Sequence, residues 1–205
     1  MKKVIAFVCA IATTWFLSGS SAFAQSDYFA QVKQYRDSVN TAMADSASTI
    51  LATEDTGAFS GLNYFGIDEK YRVMAKFKAI KNGKAVNMPT SGTRTPQFKP
   101  YGTLSFKLEG KKFKLTLYQS CDPDRPELNN YLLLAFTDLT NGKETYEGGR
   151  YLEFYTSDIK EEMMIDFNYC YNPYCAYNHK YSCVIPPAEN FLNARIEAGV
   201  KKFKK

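Results

Sequence analysis

Short stretches in which apolar and polar residues alternate restrict the fold of this chain more than any other feature. Between Tyr71 and Ile80, the apolar residues Val73, Ala75 and Phe77 alternate with basic residues and Met74. Successive side chains of a strand point to opposite faces of a sheet, so this pattern predicts a half-buried strand. Residues 103–108 and 113–117 alternate in the same way, residues 131–136 are predicted to form a buried strand, and residues 150–155 and 163–167 two more strands.

Turn signals between these stretches predict hairpins, and hairpins imply an antiparallel sheet. Asn82-Gly83 follows the first stretch and predicts a return strand at Ala85–Met88. Glu109-Gly110 and Asn141-Gly142 predict two more turns. The chain is therefore expected to form a curled antiparallel sheet or small barrel of about six or seven strands, because either arrangement hides strand edges. A two-sheet sandwich is the alternative.

One helix is predicted at each end of the sheet. Ser26–Met43 carries apolar residues three and four apart, which predicts a helix with one buried face. Ala188–Ala198, followed by Gly199, predicts a short closing helix. The fold class expected is mainly β (α+β).

The N-terminus has the order of residues that is typical of a secretory signal peptide. Lys2 and Lys3 precede an apolar run, Val4–Leu17, which is short for a membrane span. Ala22-Phe23-Ala24 then offers small residues for cleavage after Ala24. We expect residues 1–24 to be a signal peptide and 25–205 to be a single exported domain, periplasmic or extracellular, without a membrane span. A buried N-terminal helix is the alternative.

The charge of the chain does not indicate a nucleic-acid partner. The formal net charge is +5, and cleavage after Ala24 would remove two lysines and leave +3. The last five residues, 201–205, form a small basic tail that is typical of a solvated end, and no basic cluster marks a nucleic-acid face. We therefore expect no nucleic-acid binding, while the oligomeric state is not specified.

Four cysteines follow the predicted cleavage site, and an even number in an exported chain favours disulfides. Of the three possible pairings, we prefer Cys175–Cys183 together with Cys121–Cys170. The spacing of the last three cysteines differs from that of zinc sites, and His179 is the only histidine. No metal or cofactor is expected, and a catalytic Cys175–His179 pair is the less favoured alternative to a disulfide.

Three segments rich in polar residues, 89–101, 138–151 and 166–187, supply the candidate site. Tyrosine offers a flat face and asparagine offers a donor and an acceptor, a combination that suits a small polar or glycan-like ligand. A hydrolase with Asp166 or Glu144 as general base beside Arg150 is an alternative. A structural envelope protein, in which these groups form a buried network, is another. The candidate ligand-binding residues are Arg94, Glu144, Arg150, Asp166, Asn168 and Tyr171.

Long motifs in the second half of the chain match a known family. The stretch TNGKETYEGGRYL at 140–152 and the stretch YNPYCAYN at 171–178 resemble the DUF1684 family, and the likeness runs from Tyr28 to Gly199. The resemblance implies a short, exported member of that family. The function of the family is unknown, so the resemblance marks positions and implies no activity.

Overall fold

The sheet is built from eight strands and is curled like half a barrel. The structure is a computed structural model that describes residues 19–203, with side chains from residue 25 onward. Six strands form the main path in the order β6-β5-β4-β3-β1-β7, with antiparallel neighbours, while β2 pairs with β3 and β8 runs parallel to β5. The predicted mainly β class with a curled antiparallel sheet is confirmed. The strands are β1 Arg72–Ala79, β2 Val86–Asn87, β3 Gln97–Leu108, β4 Lys111–Ser120, β5 Tyr131–Asp138, β6 Arg150–Tyr155, β7 Glu162–Asp166 and β8 Phe191–Leu192.

Alternation explains which side of each strand faces the main core. Val73 and Ala75 of β1 are buried there, while Arg72 and Met74 point to the outer side. A tight turn joins β3 to β4, where Gly110 adopts a positive φ of 77° that suits glycine. The six predicted strands that form the main path of the sheet and this predicted turn are confirmed.

Two apolar clusters pack on opposite sides of the sheet: the main core, and an outer cluster of Met88, Phe98, Tyr118, Leu133, Ala135 and Tyr151. The register of β3 against β4 shifts between Pro100 and Gly102. Phe98, before the shift, therefore packs into the outer cluster with Leu133, whereas Leu104, after it, lies in the main core. The outer cluster covers the outer side of β5 and β6. Among the described residues, the outer side of β1 carries no such cover, and its residues Arg72, Met74 and Lys76 are exposed.

The long helix α1, Gly19–Ala44, buries the face that the sequence predicts and contacts the 3-10 turn Phe167–Tyr169 that follows β7. Tyr28, Val32 and Met43 are buried on this face. Buried Arg36 donates to the carbonyls of Phe65 at 2.9 Å and Asn168 at 3.4 Å. Of the predicted signal peptide, residues 1–18 lie outside the described residues. Within residues 19–203, no helix is both long and apolar enough to cross a membrane.

Two predicted elements are wrong. The segment after Asn82 forms β2, which pairs with β3 and not with β1, so the predicted hairpin does not form. The predicted C-terminal helix is a single 3-10 turn, Ala188–Asn190, followed by β8. The Asn190 side chain accepts from the Thr116 amide at 2.7 Å and donates to the Thr116 carbonyl at 2.9 Å. These hydrogen bonds hold the segment against β4 in an extended conformation, which is incompatible with a helix.

Candidate functional site

Arg150, one of the predicted ligand-binding residues, lies in the interior. Its side chain is 0% exposed, and its Nη2 lies 2.7 Å from the Asp138 carboxylate, which is equally buried. The guanidinium also donates to the carbonyls of Ile196, at 2.8 Å, and Ala198. Alternation along β6 accounts for this position, since Arg150 and the buried Leu152 share one side of the strand. Arg150 therefore holds the C-terminal segment and is not accessible to a ligand.

Asp166 and Asn168 also belong to a hydrogen-bonded network. Asp166 accepts from the Tyr28 hydroxyl at 2.8 Å and from the Asn168 amide at 2.9 Å. The fully buried Asn168 donates to Tyr28 Oη and to the Asp68 carbonyl, both at 2.9 Å. This network connects α1, the segment before β1 and the end of β7.

The remaining candidates lie in separate environments. Glu144 lines a cavity of about 900 Å³ with His179. Its carboxylate lies 2.5 Å from Arg195, and the hydrogen bond from that guanidinium lowers the pKa of Glu144. Arg94 and Tyr171 line a different cavity. The structure thus brings Asp166 together with Asn168 and Arg94 together with Tyr171. Asp166 and Tyr171 also line a third cavity, of about 520 Å³, but the expected single pocket of six residues is not formed.

A groove lined by tyrosines lies on the outer side of β5 and β6, and we call it the tyrosine groove. Its volume is about 500 Å³. Edge-to-face contacts join Tyr131 to Tyr155, at 6.5 Å between centroids, and Tyr174 to Tyr181, at 5.4 Å. Mutual packing of this kind fixes the orientation of the rings. The polar residues that line the groove include Arg94, Arg125, Tyr131, Tyr151, Glu153, Tyr155, Tyr171, Tyr174 and Tyr181.

Glu153 is the only carboxylate among the described residues that line the tyrosine groove. Its Oε1 accepts from the hydroxyl of Tyr131 at 2.9 Å and from the hydroxyl of Tyr171. Burial, followed by the charge of Glu153, raises the pKa of Tyr131, so this hydroxyl stays protonated as a donor. Among the described residues, Oε2 accepts no hydrogen bond. One carboxylate oxygen is therefore oriented by the protein and the other is available to a ligand.

Two arginines add donors to the tyrosine groove. Arg94 lies 3.3 Å from Asp122 and Arg125 lies 3.2 Å from Glu127, and both guanidiniums are almost half exposed. Sequence reasoning found Arg94 and Tyr171 but missed Glu153 and Tyr155. The signal was present, because Tyr151, Glu153 and Tyr155 alternate along β6 and must share its outer side.

The four cysteines are free thiols in the structure, and neither predicted disulfide is formed. Cys170 is buried and its Sγ donates to the Ala198 carbonyl at 3.5 Å, whereas Cys121 is partly exposed just after β4. Cys175 and Cys183 are adjacent, and the Cys175 amide donates to Cys183 Sγ at 3.2 Å. A hydrogen bond from the Cys183 thiol is the largest effect that lowers the pKa of Cys175, to about 6. The neighbouring thiol therefore favours the thiolate form of Cys175.

We predict that oxidation joins Cys175 to Cys183 and leaves Cys121 and Cys170 reduced. The Cys175 thiolate attacks oxidised glutathione, which releases one glutathione thiolate and leaves a mixed disulfide. The deprotonated Cys183 thiol then attacks that mixed disulfide, closes the bridge and releases the second glutathione thiolate. For the chain from Gln25 onward, which holds four of the five cysteines, thiol titration of denatured, unreduced protein after treatment with oxidised glutathione should find two thiols. Cys175→Ser should prevent the bridge, while Cys121→Ser should leave it intact. A count of zero or four thiols in the wild type would contradict this pairing.

Comparison with known proteins identifies the family of the chain, and the function of that family is unknown. The model of a family described as "Protein of unknown function (DUF1684)" matches residues 57–201. The chain is also similar to the solution NMR structure of an uncharacterized protein from Haloarcula marismortui, with 31% identity and a TM-score of 0.66. That match covers 87% of this chain and 96% of the other. No curated protein matches the chain. The protein belongs to the DUF1684 family.

Proposed function

We propose that the protein is a non-catalytic binding protein whose tyrosine groove holds a small polar ligand rich in hydroxyl groups, such as a glycan fragment. The observation that carries the proposal is the position of Glu153, whose carboxylate lies among tyrosine rings and is oriented by two tyrosine hydroxyls. Ring faces pack against the apolar C–H surface of a sugar, and a carboxylate accepts hydrogen bonds from its hydroxyls. The arginines at the groove offer donors to other oxygens.

The lining of the tyrosine groove favours binding over hydrolysis. Glycoside hydrolysis normally requires two carboxyl groups that flank the scissile bond. Glu153 is the only carboxylate among the described residues that line the tyrosine groove. Asp166, which lines a second cavity together with Glu153, already accepts hydrogen bonds from Tyr28 and Asn168. The hydrolase alternative with Arg150 is also not favoured, because that guanidinium is buried with Asp138.

Ligand affinity should depend on Glu153. The first measurement is a thermal-shift screen with oligosaccharides of N-acetylglucosamine, glucose and galacturonate. At least one of these sugar classes should raise the melting temperature of the protein, because a ligand that binds only the native state stabilises it. Glu153→Gln should lower the affinity for that sugar by roughly 10- to 100-fold, which is the range for a lost charge-assisted hydrogen bond. Calorimetric titration provides the measurement.

Glu161→Gln is the matched control, because Glu161 is exposed and lies outside the tyrosine groove. This variant should bind as the wild type does. Equal losses in the two variants, or no stabilisation by any of the three sugar classes, would refute the proposed function.

We also propose that the protein is exported. The support is the N-terminal sequence, in which a basic pair, an apolar run and Ala22-Phe23-Ala24 occur in the order of a signal peptide. Protein recovered from the cell envelope or medium of a bacterial host should begin at Gln25, as determined by intact mass. A chain that keeps Met1 and remains in the cytoplasm would contradict export.

A further inference from the structure

Lysines that are scattered along the sequence meet on the outer side of β1, β3 and β4. Alternation places Lys76, Lys107, Lys112 and Lys114 on the side opposite the main core, and all four are exposed. The register brings them together: Lys76 is opposite Ser105, Ser105 is opposite Lys114, and Lys107 is opposite Lys112. We call these four lysines the basic face.

Little of the charge on the basic face is neutralised by the protein. Glu162 on β7 lies 3.7 Å from Lys76. Within the part of the chain that the structure describes, no carboxylate lies within 4.0 Å of Lys107, Lys112 or Lys114. Like charges directly opposite each other on neighbouring strands destabilise a sheet, and Lys107 and Lys112 are such a pair. The repulsion between these lysines destabilises the sheet, and a bound external anion would reduce it.

The surroundings of the basic face favour a lipid surface as the source of that anion. Met74 shares this side of β1, is 54% exposed and is opposite Met164 of β7, so an apolar group lies beside the charges. The outward positions of β1, β3 and β4 from residue 72 to 78, 103 to 107 and 112 to 116 carry no aromatic ring. Proteins that bind single-stranded nucleic acid use aromatic rings to stack bases. An interface of anionic headgroups accepts both lysines and a methionine.

We propose that the basic face docks the protein on an anionic membrane surface, with the lysine ammonium groups on lipid phosphates and Met74 at the headgroup boundary. None of the four lysines lines the tyrosine groove, so the two surfaces are distinct. Attraction of this kind decays within a Debye length, so the interaction should weaken as salt is raised.

Vesicle sedimentation tests this proposal with the purified full chain. Vesicles of equimolar phosphatidylglycerol and phosphatidylcholine should bind the protein at low salt, and NaCl should release it. Pure phosphatidylcholine vesicles measure any binding through the apolar N-terminal run. Lys107→Glu with Lys112→Glu should weaken binding to the anionic vesicles by at least about 25-fold, since each basic residue near such a surface contributes roughly fivefold.

Two further variants make the result specific. Lys33→Glu with Lys143→Glu changes the charge equally at exposed positions outside the basic face, and it should keep most of the binding. Lys107→Ser with Lys112→Ser removes the like-charge pair, so it should fold and still lose binding. The proposal is overturned if anionic vesicles do not bind, if both double Glu variants lose binding equally, or if polyuridylate binds more tightly than the vesicles.

Discussion

Replacing Arg150 with methionine should lower the free energy of unfolding by about 3–5 kcal/mol, which is the range for a buried ion pair that loses one partner. Methionine fills similar space but leaves the carboxylate of Asp138 buried without its countercharge. The carbonyls of Ile196 and Ala198 lose their donors as well. Since a domain is typically stable by about 5–15 kcal/mol, this loss should be evident as a large fall in the urea midpoint.

Arg195→Met is the matched control for the buried arginine. Arg195 pairs with Glu144 at 2.5 Å and Glu197 at 2.8 Å, but it lies at the surface, where water screens ion pairs. The urea midpoint of this variant should barely change. Adding Asp138→Asn to Arg150→Met should recover part of the lost stability, because it removes the orphaned charge. If the two arginine variants unfold alike, the buried network does not stabilise the fold.

Gly199→Ala should destabilise the protein by about 3 kcal/mol or more, from overpacking combined with an unfavourable backbone conformation. Gly199 has a φ of 70°. An added Cβ would lie 2.4 Å from Cys170 Sγ, 2.6 Å from the Cys170 carbonyl oxygen and 2.8 Å from the Phe167 carbonyl oxygen. Two of these atoms belong to the backbone and cannot rotate away. Thermal unfolding followed by circular dichroism would report the loss.

Gly57→Ala is the corresponding control. Gly57 has a φ of −70°, and no atom lies within 4 Å of the position that a Cβ would take. This substitution should leave stability unchanged or raise it slightly, because alanine restricts the unfolded chain. An equal loss at both positions would show that the tight contact at Gly199 is unimportant.

The strands were predictable because alternation is a local property of the sequence. β6 was predicted with the bounds that the structure shows, and α1 was predicted by its apolar spacing. The C-terminal helix failed because contacts distant in sequence decide its conformation: Asn190 binds Thr116, and Arg150 binds Ile196 and Ala198. Local helix propensity does not include such bonds.

The candidate site was harder to predict because polar density alone does not separate a network from a surface. Arg150 and Glu153 are close in sequence, but side chains along β6 point alternately to opposite sides of the sheet. Arg150 therefore lies in the core and Glu153 on the outer side. Glu153 gains its partners from β5, through Tyr131, and from the C-terminal tract, through Tyr171. Only the pairing of the strands brings these residues together. The basic face was missed for the same reason, since its lysines are adjacent across strands and not along the chain.

A ligand should bind in the tyrosine groove and not at the network around Arg150. NMR spectra of protein labelled with ¹³C in its tyrosine rings test this directly during titration with the three oligosaccharide classes. We expect a binding sugar to shift the ring signals of Tyr131, Tyr155, Tyr171, Tyr174 and Tyr181 and to leave Tyr28 and Tyr64 unchanged. Shifts confined to Tyr64 and Tyr146, which line the cavity beside His179, would contradict the account, as would spectra that no sugar alters.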